Sequence, residues 1–194
     1  MARDSYSEND TPDEALLIAY GNGDASAARI LLRRLTPRIL GYAARVLGDR
    51  AEAEDVVQEA MLRLWKQAPD WRQGEAKVST WVYRVATNLC IDRQRKRRSV
   101  DLDQIDEPVD DSPDAISGLQ NAARAKALNK ALDQLPERQK TAVILRHIEG
   151  LANPEIAAIM EISPEAVESL TARGKRALAG HLSGQRQALG FEDD

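Results

Sequence analysis

The chain has 194 residues, with 27 Lys+Arg against 31 Asp+Glu, a formal net charge of −4 at pH 7 and 43% hydrophobic residues. That is enough apolar material for packed cores and too much for wholesale disorder. No apolar run nears the ~20 residues that span a bilayer, the polar and acidic stretch 1–13 argues against a signal peptide, and one cysteine with two histidines makes neither a disulfide nor a zinc cluster. The expectation is a soluble, cytoplasmic protein with no cofactor and no metal.

Taken in chain order, everything outside one central stretch predicts helix, because no segment sustains strand alternation. Thr11-Pro12-Asp13-Glu14 has the pattern of a capping box with proline at the first helical position. Gly21-Asn22-Gly23 stops that helix and Asp24 can cap the next. The next helix carries Ile30, Leu31, Leu32 and Leu35; Thr36-Pro37 predicts a kink or a restart, and Gly48 ends the run after Leu47. A further helix starts at Asp49 and reaches about Gln67, with an inner stripe of Ala53, Val57, Ala60 and Leu64. Residues 69–77 predict a polar loop containing Trp71 and Gly74. The last helix of the first half covers 78–97. Its inner stripe is Val78, Val82, Val85 and Leu89, and its polar stripe is Arg84, Asn88, Asp92 and Arg95.

Charge divides the chain. Residues 1–98 carry a net +3, residues 120–194 a net 0, and residues 99–119 hold seven acidic residues and no basic one. This central stretch also contains Pro108, Pro113 and Gly118 and no aromatic residue, so it predicts a flexible acidic linker. The domains expected are 10–98 and 120–183, two small all-α units on a tether. Just before the linker stand Arg93, Arg95, Lys96, Arg97 and Arg98, five cations within six residues. That exceeds what a helix C-terminus needs and points to a polyanion.

In the second half, 122–135 and 136–149 predict helices, the latter ending at Gly150. Asn153 predicts a cap for a short helix from Pro154, and Ser163 a cap for a longer one from Pro164. The connection between them, Met160-Glu161-Ile162-Ser163, allows only a tight corner, which makes a helix-turn-helix. Ile156, Ala157, Val167 and Leu170 have the spacing to pack across it. The last helix offers Ser169, Thr171, Arg173, Lys175 and Arg176 to phosphates and base edges. Glu165 and Glu168 repel phosphate but can accept from a cytosine amino group.

These residues resemble a known family, the extracytoplasmic-function type of bacterial sigma factor. Residues 49–65 (DRAEAEDVVQEAMLRLW) are similar to region 2.2, residues 79–92 (STWVYRVATNLCID) to regions 2.3 and 2.4, and LPERQ at 135–139 through the helix-turn-helix to region 4. The resemblance implies a region 2 helical bundle, a region 4 helix-turn-helix, and three partners: core RNA polymerase, promoter DNA and an anti-sigma factor. It implies no enzyme activity and no membrane insertion of its own. It places the polymerase contact on Asp49, Asp55, Gln58, Glu59 and Leu62. It places contact with the opened −10 element on Trp71, Lys77, Trp81, Tyr83, Arg84, Asn88, Arg93, Arg95, Lys96, Arg97 and Arg98, since strand opening needs aromatic faces, a base pocket and cations. It places −35 recognition on Glu165, Ser169, Arg173, Lys175 and Arg176.

The family often has glycine at the corner where this chain has Glu161, which is penalised if φ there is positive. It often has Lys and Arg where this chain has Glu168 and Leu170. Two other readings compete: a sigma-like decoy that occupies an anti-sigma factor, and a plain helix-turn-helix regulator. The basic run at 93–98 opposes the first, and the first-half motifs oppose the second.

Overall fold

Helix starts and stops are written in local chemistry, and most lie where caps predict them. The structure, a computed structural model, describes residues 11–72, 74, 77–101 and 119–183, and every regular element among these is helical. α1 covers Asp13–Gly21, α2 Ala25–Leu47, α3 Arg50–Gln67 and α4 Val78–Asp101, with a 3-10 turn at Ala68–Asp70. α5 covers Leu119–Asp133, α6 Glu137–Val143, α7 Asn153–Met160 and α8 Pro164–Ser183, with a π-helical stretch at Ile144–Ile148 after α6. The expected linker lies almost wholly outside the described residues, and α4 continues through residues 99–101.

Asp24 caps α2 by accepting from the Ser26 N–H at 2.8 Å, and Asp49 caps α3 by accepting from the Glu52 N–H at 3.0 Å. Gly48 takes the left-handed conformation (φ 69°) that ends α2. Ser163 Oγ accepts from the Ala166 N–H at 3.2 Å as α8 begins. Two caps and one restart are not where the sequence pattern puts them. Pro12, not Thr11, is the N-cap of α1 and no side chain caps it; Asp13 instead pairs with Arg34 at 2.7 Å. Thr36-Pro37 does not restart the helix: α2 runs through it, with the proline ring exposed. Asn153 is the first residue of α7 rather than its cap, and Glu155 reaches back to accept from the Ala152 N–H at 3.0 Å.

In the first domain α2 is the spine, packed against α1, α3 and α4. The core is Leu16, Leu17, Leu31, Ile39, Tyr42, Leu64 and Val82, each fully buried or nearly so. In the second domain α8 packs along α6 and closes against α7 across the corner, where Ile156, Ala157 and Val167 are buried and Leu170 is half-buried. The domains also pack on each other: α7 lies against α4, and the π-helical stretch and α6 meet α2. Their apolar interiors form one contiguous cluster.

Gly174 sets the α6–α8 distance. A Cβ there would stand 2.6 Å from Val143 Cγ2, closer than real contacts allow, and 3.3 Å from the Gln139 carbonyl oxygen, a tight contact. Gly180, six residues along the same helix, has open space around it. Replacing a helical glycine by alanine ordinarily gains about 1 kcal/mol. Gly180→Ala is therefore expected to raise the urea midpoint, whereas Gly174→Ala lowers stability by roughly 1–2 kcal/mol through overpacking. Denaturation of the two variants checks the opposite signs.

Candidate nucleic-acid interface

The polar stripe expected on α4 is real: Arg84, Asn88, Asp92 and Arg95 are all exposed on one face. At its N-terminal end Trp71, from the loop, meets Trp81 of α4 edge to face, with ring centroids 6.2 Å apart. Both rings are half-buried, so each keeps an accessible part. The Trp71 Nε1 is buried, and no described residue accepts its proton. Lys77, at the start of α4, is exposed and donates to Glu155 of α7 at 2.8 Å; that bond raises the lysine pKa and lowers the glutamate's. Residues 73, 75 and 76 of the loop lie outside the described set.

Tyr83 is placed differently from the expectation. It is 1% exposed, packed edge-on against Tyr42 at 5.4 Å, with the Arg38 guanidinium 5.8 Å from its ring centre. Thr87 Oγ1 donates to the Tyr83 carbonyl at 2.8 Å, so the Tyr42 hydroxyl donates to Thr87 Oγ1 at 2.7 Å. The Tyr83 hydroxyl donates to Glu149 of the second domain, and burial pushes both phenols well above their usual pKa. No face of this ring is open to a base. The reason is position: Tyr83 follows Val82 at the edge of the inner stripe, and the second domain covers that edge.

The basic run also divides. Arg95 and Lys96 are exposed and Arg93 is half-buried. Arg97 turns back onto the first domain, where it donates to Glu52 Oε1 at 3.0 Å, to the Leu47 carbonyl at 3.0 Å and to Asp49 Oδ2 at 3.2 Å. Arg98 pairs with Glu137 of α6. Asp49, expected at the polymerase contact, therefore caps α3 and binds Arg97. Of the other residues expected there, Asp55, Gln58 and Leu62 are exposed, and Glu59 holds Arg63 at 2.8 Å. Leu62 is 49% exposed, unusual for a leucine of this domain. With Leu32, Leu40, Val57, Met61 and Trp65 it lines a groove of about 410 Å³ between α2 and α3.

On α8 the five expected residues Glu165, Ser169, Arg173, Lys175 and Arg176 all face solvent. Ser163 holds the Glu165 carboxylate below its usual pKa through a hydrogen bond. Arg173 lies along its own helix, donating to the Ser169 carbonyl at 3.3 Å and to the Ser169 hydroxyl. Thr171 is half-buried and its hydroxyl has no described partner. Glu161 at the corner has φ 54° and ψ 48°, the one non-glycine with positive φ among the described residues. The penalty expected there is present.

Residues 31–100 match sigma-70 region 2, and residues 125–178 match sigma-70 region 4. The chain is 30% identical over 177 residues to the RNA polymerase sigma-H factor of Pseudomonas aeruginosa, covering 86% of this chain and 91% of that protein. It is 30% identical over 174 residues to the ECF RNA polymerase sigma factor SigW of Bacillus subtilis, covering 82% and 91%. The chain belongs to the extracytoplasmic-function family of RNA polymerase sigma factors. The fold agrees with the sigma factor RpoE of Bartonella quintana, solved with the anti-sigma factor NepR, at a TM-score of 0.69 and 23% identity over 80% of this chain and 96% of that one. The groove thus lies in region 2, the tryptophan pair and polar stripe at its C-terminal end, and the helix-turn-helix in region 4.

Sequence reasoning missed two residues that set this geometry. Lys140 is 6% exposed and donates to Asp133 Oδ1 at 2.6 Å and to the Val46 carbonyl at 3.0 Å, tying region 4 to α2. Glu149 receives the Tyr83 hydroxyl. A lysine amid the apolar Ala142, Val143, Ile144 and Leu145 is the signal that could have found the first. The split of the basic run has a direct consequence. Arg97→Ala should lower stability by about 1 kcal/mol, charge-assisted bonds discounted for partial exposure, while Arg95→Ala should leave the melting temperature unchanged. Thermal melts of both variants check this.

Proposed function

We infer that the chain binds core RNA polymerase and directs initiation at promoters whose −10 and −35 elements it reads. The observation that carries this is the presence of both sigma regions, in order, in one chain whose region 2 sets a half-open tryptophan pair beside an exposed polar stripe. Opening a duplex and holding one strand requires aromatic faces and cations together. Trp71 and Trp81 supply the faces, Asn88 and Arg84 the polar contacts to an extruded base, and Arg93, Arg95 and Lys96 the phosphate contacts. The α8 face, with Ser169, Arg173, Lys175 and Arg176, enters the major groove of the −35 element, and Glu165 is placed to accept from a cytosine.

The groove between α2 and α3 takes an apolar helical surface of core polymerase. An apolar centre of Leu32 and Leu62 with Thr36, Glu54 and Gln58 beside it is the anatomy of such an interface, and Asp55 and Glu59 of the same helix would extend it. An anti-sigma factor holds the chain silent, as the Bartonella quintana relative's complex suggests. The chain works where polymerase works, in the cytoplasm, and no described helix is long and apolar enough to cross a membrane. No catalytic step is assigned to it: His147 and His181 stand apart in sequence, and the Cys90 thiol is fully buried, its pKa pushed up by desolvation to about 12.

Purified core polymerase mixed with the chain should give run-off transcripts from a sequence-restricted subset of a random promoter library. Initiation from no sequence at all would overturn the assignment. Leu62→Asp should weaken the complex with core at least roughly tenfold, as loss of a central apolar anchor does, without altering the melt. Trp81→Ala should leave core binding intact and reduce promoter opening, read by permanganate reactivity of the −10 thymines, since a stacked base contributes about 1–3 kcal/mol.

A further inference from the structure

One exposed carboxylate on α8 has no part in the −35 contact assigned above. Glu168 begins the second turn of the helix, on the side it shares with Glu165, three residues before it, and Ala172, four after. Its helical neighbours at these spacings are Pro164, Glu165, Thr171 and Ala172, so no cation of α8 pairs with it there. Its hydrogen bond comes instead from across the corner: Asn153 Nδ2, at the start of α7, donates to Glu168 Oε1 at 3.3 Å. A carboxylate only accepts, so the amide must turn its nitrogen to it. Asn153 is half-buried and caps nothing, and this bond is what its side chain does. Glu165 is placed differently. It lies in the first turn, where Ser163 binds its carboxylate and the helix N-terminus favours the charge. Glu168 has neither support. An exposed glutamate ordinarily swings among its rotamers, yet this one is tied through Oε1, and Oε2 accepts from no described residue.

We propose that Glu168 reads one base pair of the −35 element by accepting from the exocyclic amine of a cytosine, and that Asn153 is the positioning residue that aims it. The role rests on the −35 assignment made above and adds a base to it. In the major groove cytosine shows a donor, guanine two acceptors, and thymine an acceptor and a methyl group. A carboxylate has no proton to give, so it is satisfied by cytosine and opposed by guanine and thymine. Adenine, with a donor beside an acceptor, comes second. Phosphates repel the same charge, so the residue gains selectivity at the expense of affinity. Arg173, Lys175 and Arg176, exposed on the same helix, supply the phosphate attraction that offsets it. The bond from Asn153 holds the side chain before DNA arrives, which lowers the cost of ordering it on binding. Ala172, one turn further along, is exposed and too short to come between the carboxylate and a base edge.

The test uses the full chain with core polymerase on a promoter from which the pair initiates. Its −10 region is kept, its −35 region is randomised, and each template carries a transcribed barcode that reports its sequence. The parent chain should enrich cytosine at one −35 position at least ~10-fold over guanine and thymine, the scale of one base contact. Glu168→Gln should move that position to adenine, which glutamine reads with a donor and an acceptor together, and leave the other positions as they were. Asn153→Asp keeps the size of the side chain and suits a helix start, but removes the donor; it should flatten the preference at that position alone. Unchanged preferences in Glu168→Gln would overturn the base reading and leave the sigma-factor assignment standing. A uniform gain over all templates would overturn it too, since relief of phosphate repulsion carries no sequence. Loss of initiation from all templates alike in Asn153→Asp would overturn the positioning role, because that is what a merely structural asparagine predicts. Glu165→Gln is expected to act at a different position; a shift from cytosine to adenine at the same one would give the base to Glu165 and overturn the proposal. Absence of any promoter from which the parent initiates would overturn the sigma-factor reading itself, and this role with it.

Discussion

The C-terminal turn of α2 is the point on which both domains hang. The last carbonyls of any helix lack partners within it and must find them elsewhere. Here the Val46 carbonyl accepts from Gln94 Nε2 at 3.2 Å and from Lys140 Nζ at 3.0 Å, and the Leu47 carbonyl accepts from Arg97. Two of these donors are cations, which the negative end of a helix dipole favours. One end of one helix thus gathers α4 from its own domain and α6 from the other. Lys140 makes the tie strict. A buried ammonium that lost either acceptor would cost several kcal/mol, so α6 has little freedom to slide along α2 while the domains are packed. Gly174 then fixes α8 on α6, and the short corner fixes α7 on α8.

That geometry decides which surfaces are left for partners. The groove around Leu62 lies between α2 and α3, the recognition face of α8 points outward, and the polar stripe of α4 is flanked along one side by α7. Three candidate surfaces are therefore present in one packed form, and they differ in access. The net charge of −4 describes none of them. Region 2 carries the positive balance and the central acidic stretch the negative one, while residues 120–194 balance ten cations with ten carboxylates.

Much of this was legible in the sequence, and the reasons are local. Asp24, Asp49 and Ser163 cap helices through hydrogen bonds spanning two or three residues, and Gly48 ends one by its own backbone freedom, so nothing distant is needed to foresee them. The stripe Ala53, Val57, Ala60 and Leu64 is buried as its period requires. What escaped depends on partners far along the chain. Tyr83 looks like an aromatic platform until Glu149, 66 residues away, is seen to take its hydroxyl. Arg97 looks like one more phosphate contact until Asp49 and Glu52 are seen to hold it. Periodicity assigns a residue to a face; it does not say which other element covers that face. The cap at Thr11 and the restart at Pro37 failed for a different reason. Capping and breaking signals are weak preferences, and an ion pair between Asp13 and Arg34 or the packing of a 23-residue helix overrides them.

Glu161 shows how magnitudes separate stability from function. A non-glycine residue in the left-handed region costs about 1–2 kcal/mol, and the penalty is present at φ 54°. Its compensation is one ion pair with Arg84, in which both side chains are more than half exposed. Exposed pairs contribute about 0–1 kcal/mol and less at physiological salt. The pair does not offset the backbone, so stability alone favours glycine at this corner. Arg84 stands on the exposed polar stripe of α4, so this pair crosses from one domain to the other as a weak contact that salt screens further.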